Sequence, residues 1–186
     1  PVYELFVLGE LMAEPQYGYK LHEIGNRILG PLHHLSWGTL YPLIRRLEQD
    51  GLASSTREKR YEGFPRTERG QPRRVYTITQ TGRERFFALM LDVGAHTRDS
   101  PDLFVIKLTK FGFLRPEQRL MVLEHYATYV RDLRNYYQAG LHRVSTNPGI
   151  TDQERPFILE QIHYRLHTLN AELSWVESAI ARVAPE

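Results

Sequence analysis

A mainly α chain carrying one small β-hairpin and a long helical C-terminal part is what the sequence predicts, on three observations. Leu40, Leu43, Ile44 and Leu47 recur at helical spacing inside a third consecutive apolar-periodic segment. Two β-prone runs, Leu52 to Arg57 and Arg73 to Thr79, flank a loop rich in Arg, Glu, Gly and Pro, as a hairpin with a long tip would. Finally, Leu159, Ile162, Leu166, Leu169, Leu173, Val176, Ile180 and Val183 alternate spacings of three and four without an error, the pattern of a helical seam.

Taken in order, Tyr3 to Ala13 reads as a helix closed by Glu14-Pro15, and Tyr17 to Ile24 opens a second helix with Leu21, Ile24 and Ile28 on one side. The third helix lies within Leu35 to Leu52. Its apolar stripe leaves Gly38, Tyr41, Pro42, Arg45 and Gln49 facing away, with Arg46 on the shoulder. Ser36 or Thr39 caps its first amides and Gly51 supplies the left-handed residue that ends it. An interior proline costs about 3 kcal/mol, so the regular helix is expected to begin near Thr39 with Pro42 in its first turn. Helix, helix, helix, hairpin is a winged helix-turn-helix. The outward face suits a DNA groove: Gly38 and Pro42 allow close backbone approach, Arg45 and Arg46 reach phosphate or guanine, and Gln49 hydrogen-bonds a base or phosphate. A solvated basic helix would carry the same residues, so the neighbouring elements matter to the reading.

Charge supports that reading through its distribution. The whole chain of 186 residues has a formal net charge of only +2. Between Arg57 and Arg85, however, nine Lys or Arg stand against four Glu, while from Phe86 onward 11 basic residues balance 12 acidic ones. Basic character is concentrated in the wing, and residues 57–72 are expected to be mobile alone and ordered on a phosphate backbone. There is no cysteine, which removes disulfide scaffolds, thiolate zinc sites and cysteine nucleophiles. No apolar run spans a bilayer and no signal-peptide pattern opens the sequence, so a cytoplasmic protein is expected.

The residues Leu8-Gly9-Glu10-Leu11, Tyr17-Gly18-Tyr19-Lys20-Leu21, Gly38 to Glu48 with Gly51-Leu52, Arg74 to Thr79 and Thr81-Gly82-Arg83 resemble, in spacing and order, the PadR-type transcriptional regulators. More weakly, Asp102-Leu103-Phe104 and Leu173-Ser174-Trp175-Val176-Glu177-Ser178 look like the long, phenolic-acid-responsive branch of that family. Trp37, where many members carry a small residue or Pro, and the long wing tip are departures. The resemblance implies a homodimeric repressor that binds an inverted-repeat operator in double-stranded DNA and is released by a small aromatic effector. On that basis the DNA-contacting set is Ser36, Trp37, Gly38, Thr39, Tyr41, Pro42, Arg45, Arg46, Gln49, Arg73 and Arg74.

Beyond the wing, a helix starts at Thr79-Gln80-Thr81-Gly82 and runs through Val93 before Asp99-Ser100-Pro101. The domain boundary is expected there: residues 1–98 form the winged domain with its linker helix, and 99–186 the dimerisation and effector-sensing domain. Pro101 to Leu114 reads as one short helix, Pro116 opens a long one reaching Val144, and Thr151 or Asp152 begins the last. The seam of this last helix folds back within one chain or pairs with a second copy. Tyr126, Tyr129, Tyr136, Tyr164 and Trp175 lie off it and favour a two-fold dimer, which would hold two winged modules roughly one duplex turn, 34 Å, apart. An effector cleft between the winged module and the C-terminal helices would draw on Phe104, Phe111, Tyr126, Tyr129 and Trp175, with Arg131 or Arg134 for a carboxylate, although each aromatic is more often simply core.

No catalytic constellation is evident: a Gly-rich phosphate loop and a Ser-centred elbow are both missing, and an enzyme is not expected. His163 and His167, with Glu160 a turn away, have metal-compatible spacing but read as polar flank residues, and neither metal nor cofactor is expected. His33 and His34 stand beside the third helix and suit phosphate or a plain loop. The competing class is a winged-helix protein-interaction module whose basic wing meets an acidic partner, separable by sequence preference and salt dependence of DNA binding.

Overall fold

The computed structural model of the protein describes residues 2–28, 30, 35–57 and 74–183. It is mainly α with a small antiparallel sheet, and among the described residues no helix is long and apolar enough to cross a membrane. The chain forms two compact units, one from residues 1–92 with 101–110, the other from 93–100 with 111–186.

In the first unit, α1 (Val2–Ala13) is the central element, buried continuously from Leu5 to Leu11. A helix covered on every side carries apolar residues all round, and Glu10 is the exception in this stretch. Its Oε1 accepts from Lys110 Nζ at 2.5 Å, and both side chains are nearly buried. Gly9 makes room for this pair, since a Cβ there would lie 3.0 Å from the Lys110 stem. Lys110 follows α5 (Ser100–Thr109), which buries Phe104 and Ile106. Burial also depresses the ammonium pKa of Lys107, whose Nζ donates to the Asp92 carbonyl at 3.0 Å.

The wing is one sheet with strand order β1-β3-β2, made of β1 (Gln16–Tyr17), β2 (Ala53–Arg57) and β3 (Arg74–Ile78). Tyr76 faces Ser55 on one side and Gln16 on the other. β1 was not expected from the sequence, because two residues are too few to show alternation and their partners lie on β3, far along the chain. The predicted hairpin strands are present; the tip at 58–73, including Arg73, lies outside the described residues, as do His33 and His34.

Helix boundaries differ from expectation where side chains decide them. α3 (Trp37–Gln49) starts two residues before Thr39, because Ser36 in extended geometry (φ −75°, ψ 156°) caps it through Oγ and Thr39 N, 3.2 Å apart. Pro42 therefore sits in the second turn. α4 (Gln80–Met90) stops short of Val93: the Asp92 carbonyl is taken by Lys107 and the Gly94 carbonyl lies 2.9 Å from His125 Nε2. α5 ends at Thr109 rather than Leu114, and a single 3₁₀ turn over Phe111–Phe113 follows.

The second unit is a helical hairpin of α6 (Pro116–Thr146) and α7 (Arg155–Val183). Pro116 opens α6 as expected, and Gln118 Oε1 accepts from Arg115 N at 3.0 Å. α7 begins later than Thr151 or Asp152; Thr151 Oγ1 instead accepts from Glu154 N at 3.2 Å, and the helix proper follows. Arg155 closes the turn by donating to the carbonyls of Val144, Ser145, Asn147 and Ile150. Of the seam residues, Ile162, Leu169, Leu173 and Val176 are buried within the single chain, whereas Leu159, Leu166, Ile180 and Val183 stay partly exposed.

Candidate nucleic-acid interface

The exposed face of α3 is built by burying the other one. Leu40, Ile44 and Leu47 are at most 2 % exposed, with Leu43 at the margin. That leaves Trp37, Gly38, Thr39, Tyr41, Pro42, Arg45, Arg46 and Gln49 in solvent. Ser36 is exposed too, but its hydroxyl lies 3.0 Å from Thr39 Oγ1 and also caps the helix, so both hydroxyls have a structural role. Arg45, Arg46 and Gln49 thus project donors from successive turns, the groups that reach phosphates and guanine or adenine edges in a major groove.

The approach to α3 is held by Asn26 of α2 (Gly18–Ile28), which accepts from Leu35 N at 2.7 Å and donates to the His22 carbonyl at 3.0 Å. Leu35 itself is fully buried, and Gly25 permits this, because a Cβ there would meet Leu35 Cδ2 at 2.6 Å. Neither residue stood out in the sequence: Asn26 reads as an ordinary polar helix residue until its partner is known.

Aromatic rings line the start of α3. His22 stacks on Trp37 with centroids 3.9 Å apart and planes 5° from parallel, and Trp37 stacks on Tyr41 at 5.2 Å and 23°. At the start of α2, Tyr19 is half exposed and stacks on Tyr17 at 5.6 Å. Nothing in the sequence singles out His22, since its contact crosses from one helix to the next. On the wing, Arg74 is exposed with its guanidinium 4.0 Å from Glu48. Buried Tyr76 has its phenol pKa raised, first by burial and then by the Glu48 charge.

The residues expected around an effector are divided between the units. Phe104 is buried in the first unit. In the second, the Tyr126 hydroxyl donates to Glu172 Oε1 at 2.5 Å, and its ring stacks on Tyr129 at 5.5 Å. Burial and Glu172 raise the Tyr129 phenol pKa. Arg131 pairs with Glu177 at 3.1 Å, while Arg134 Nε is buried with no hydrogen-bond partner among the described residues. Phe111 is half buried in the 3₁₀ turn and Trp175 is 47 % exposed on α7. His163 and His167 are exposed, and no group of three metal-ligating side chains occurs among the described residues.

Three short helices, a three-stranded wing and an exposed basic and aromatic third helix define the first unit as a winged helix-turn-helix domain. Residues 7–88 match the sequence model of the transcriptional regulator PadR-like family, and this segment is a PadR-like domain. No curated protein matches the sequence. Among solved structures, similarity extends along the chain at low identity. PadR of Bacillus subtilis in complex with operator DNA is 15 % identical with a TM-score of 0.45, covering 99 % of this chain and 100 % of that one. PadR of the same organism in complex with p-coumaric acid is 17 % identical, with a TM-score of 0.41 and coverage of 98 % and 99 %. The virulence activator AphA of Vibrio cholerae is 20 % identical, with a TM-score of 0.38 and 97 % of each chain covered.

Proposed function

We propose that the protein is a homodimeric, sequence-specific DNA-binding regulator that represses transcription and is released by a small aromatic effector such as a phenolic acid. The carrying observation is the solvent face of α3, where Tyr41, Arg45, Arg46 and Gln49 stand opposite the buried Leu40, Ile44 and Leu47 within a PadR-like domain. Two such faces on a two-fold axis read the halves of an inverted repeat. Exposed Phe157, Tyr164 and Trp175 on α7, next to the half-exposed seam positions, support pairing of the C-terminal helices. The buried Arg134 Nε, unpartnered among the described residues, supports a carboxylate-bearing effector, because an orphaned buried donor is costly until something accepts from it. To act as an inducer, the effector must bind the DNA-free form more tightly.

Fluorescence anisotropy on duplexes selected from a random pool tests the reading. A preferred inverted repeat whose affinity falls steeply with salt is expected. Arg45→Ala should weaken it by about 1–3 kcal/mol and relax selectivity at one base pair per half-site. Adding p-coumaric or ferulic acid should lower operator affinity. Selection that returns no preferred sequence would leave the protein-interaction reading in its place.

A further inference from the structure

The polar donors of α3 do not account for its first turn, where the largest exposed side chain is an indole. Trp37 is 41 % exposed at the opening of the helix, yet it is not a loose surface residue. His22 lies against it almost plane to plane, and Tyr41, one turn on, stacks on it as well. These two stacks join α2 to α3, fix the plane of the indole and occupy ring face. With its face taken up by these stacks, the ring has chiefly its edge left to present, most of it C–H, two turns before Arg45 and close to the helix end that enters a groove first.

We propose that Trp37 is a specificity-determining residue that reads thymine through its 5-methyl group in the major groove. The proposal rests on the DNA-binding reading above and deepens it. In a duplex the bases are stacked and their faces are closed to a clamped ring, so an apolar edge meets base edges only. The thymine methyl is the one apolar group those edges display in the major groove. Neighbouring Gly38 has no side chain to cover the indole, which is 41 % exposed. His22 acts as a positioning residue by fixing the indole plane.

The test uses the full chain and its selected duplex, replacing each thymine in turn by deoxyuracil, which removes the methyl and leaves the pairing edge intact. At one thymine per half-site the parent should lose about four-fold in affinity, the worth of one buried carbon group. Trp37→Ala should bind more weakly overall and be indifferent to uracil at that position, while keeping the uracil response at other positions. Trp37→Phe should keep part of the response, and His22→Ala should reduce it with helicity unchanged by circular dichroism. Equal affinity of the parent for thymine and uracil everywhere, or an unchanged uracil profile in Trp37→Ala, would overturn the assignment while leaving sequence-specific binding intact. Absence of any preferred duplex would instead remove the regulator reading itself.

Discussion

Replacing Gly82 by Ala probes the junction that fixes the wing to the end of α3. Gly82 N donates to Thr79 Oγ1 at 3.0 Å, and the Thr79 hydroxyl donates to the Gly51 carbonyl at 2.6 Å. Thr79 N donates to the Leu52 carbonyl at 3.1 Å. Gly51, at φ +70°, makes the left-handed turn out of α3, so one small knot sets both the exit of α3 and the entry to β2. A Cβ on Gly82 would fall on the Leu52 carbonyl oxygen, with Ile78 Cγ1 2.8 Å and the Leu52 carbonyl carbon 2.9 Å away. The obstruction is backbone, which cannot swing aside as a side chain does. Strain of about 1–3 kcal/mol is expected from overpacking, together with about 0.5–1.5 kcal/mol for the displaced Thr79 to Leu52 bond. Against this, Ala gains at most ~1 kcal/mol of helix propensity. The net is a loss of about 0.5–4 kcal/mol, and its middle value of about 2 kcal/mol lowers the urea midpoint by about 1 M for an m-value near 2 kcal/mol/M. The chain has two tryptophans, Trp37 in the first unit and Trp175 in the second. In a Trp175→Phe background, Trp37 emission therefore reports the winged unit alone. An unchanged or higher midpoint at constant m would refute the argument from close approach.

Further expectations concern the second unit. His96 is pushed below the ordinary imidazole pKa by burial and by His125, whose ring centroid is 4.3 Å away, with Asp132 opposing and Tyr129 alongside. A depressed histidine makes the folded state take up its proton later than the unfolded chain. Stability is therefore complete above pH 6.5 and lost as pH falls from there through the lowered value; urea midpoints read by Trp175 should show this fall, and His96→Leu should flatten it. An identical slope in that variant would place the titration elsewhere. Phe157→Glu with Tyr164→Glu changes two residues that are 75 % and 63 % exposed in the single chain, so light scattering should report loss of the proposed dimer at unchanged helicity. A dimer that survives both charges would exclude that face of α7.

How far the sequence could be read depended on whether a feature was local. Leu40, Ile44 and Leu47 announce their face because a 3.6-residue period is written along the chain itself, and the residues expected outside that face are outside. Glu14-Pro15 and Pro116 likewise mark boundaries through their own backbone chemistry. β1 is opaque because Gln16–Tyr17 has no pattern and acquires strand geometry only from Val75 and Tyr76. The same holds for the aromatic stack: Trp37 was noticeable, but nothing in spacing pairs it with His22. Pro42 shows two local rules in conflict, and the Ser36 cap prevailed over the proline in placing the start of α3. The heptad of α7 was legible as a seam, yet the same apolar stripe serves an intramolecular hairpin, and period alone does not name the partner.

The ion pair between Glu10 and Lys110 has a consequence for synthesis. Its members are separated by 100 residues, and α1, which carries Glu10, is made first. At about 5–20 residues per second, the chain extends for roughly 5–20 s before the ammonium that neutralises Glu10 has been added. Throughout that interval the face of α1 that receives Lys110 stays wet, because burying the carboxylate alone would cost several kcal/mol. A chain released before residue 110 would carry its recognition helix and wing but leave that face of α1 uncovered. Completion of the winged unit is thus coupled to progress of translation into the second unit, and truncated products would be open to proteolysis along α1.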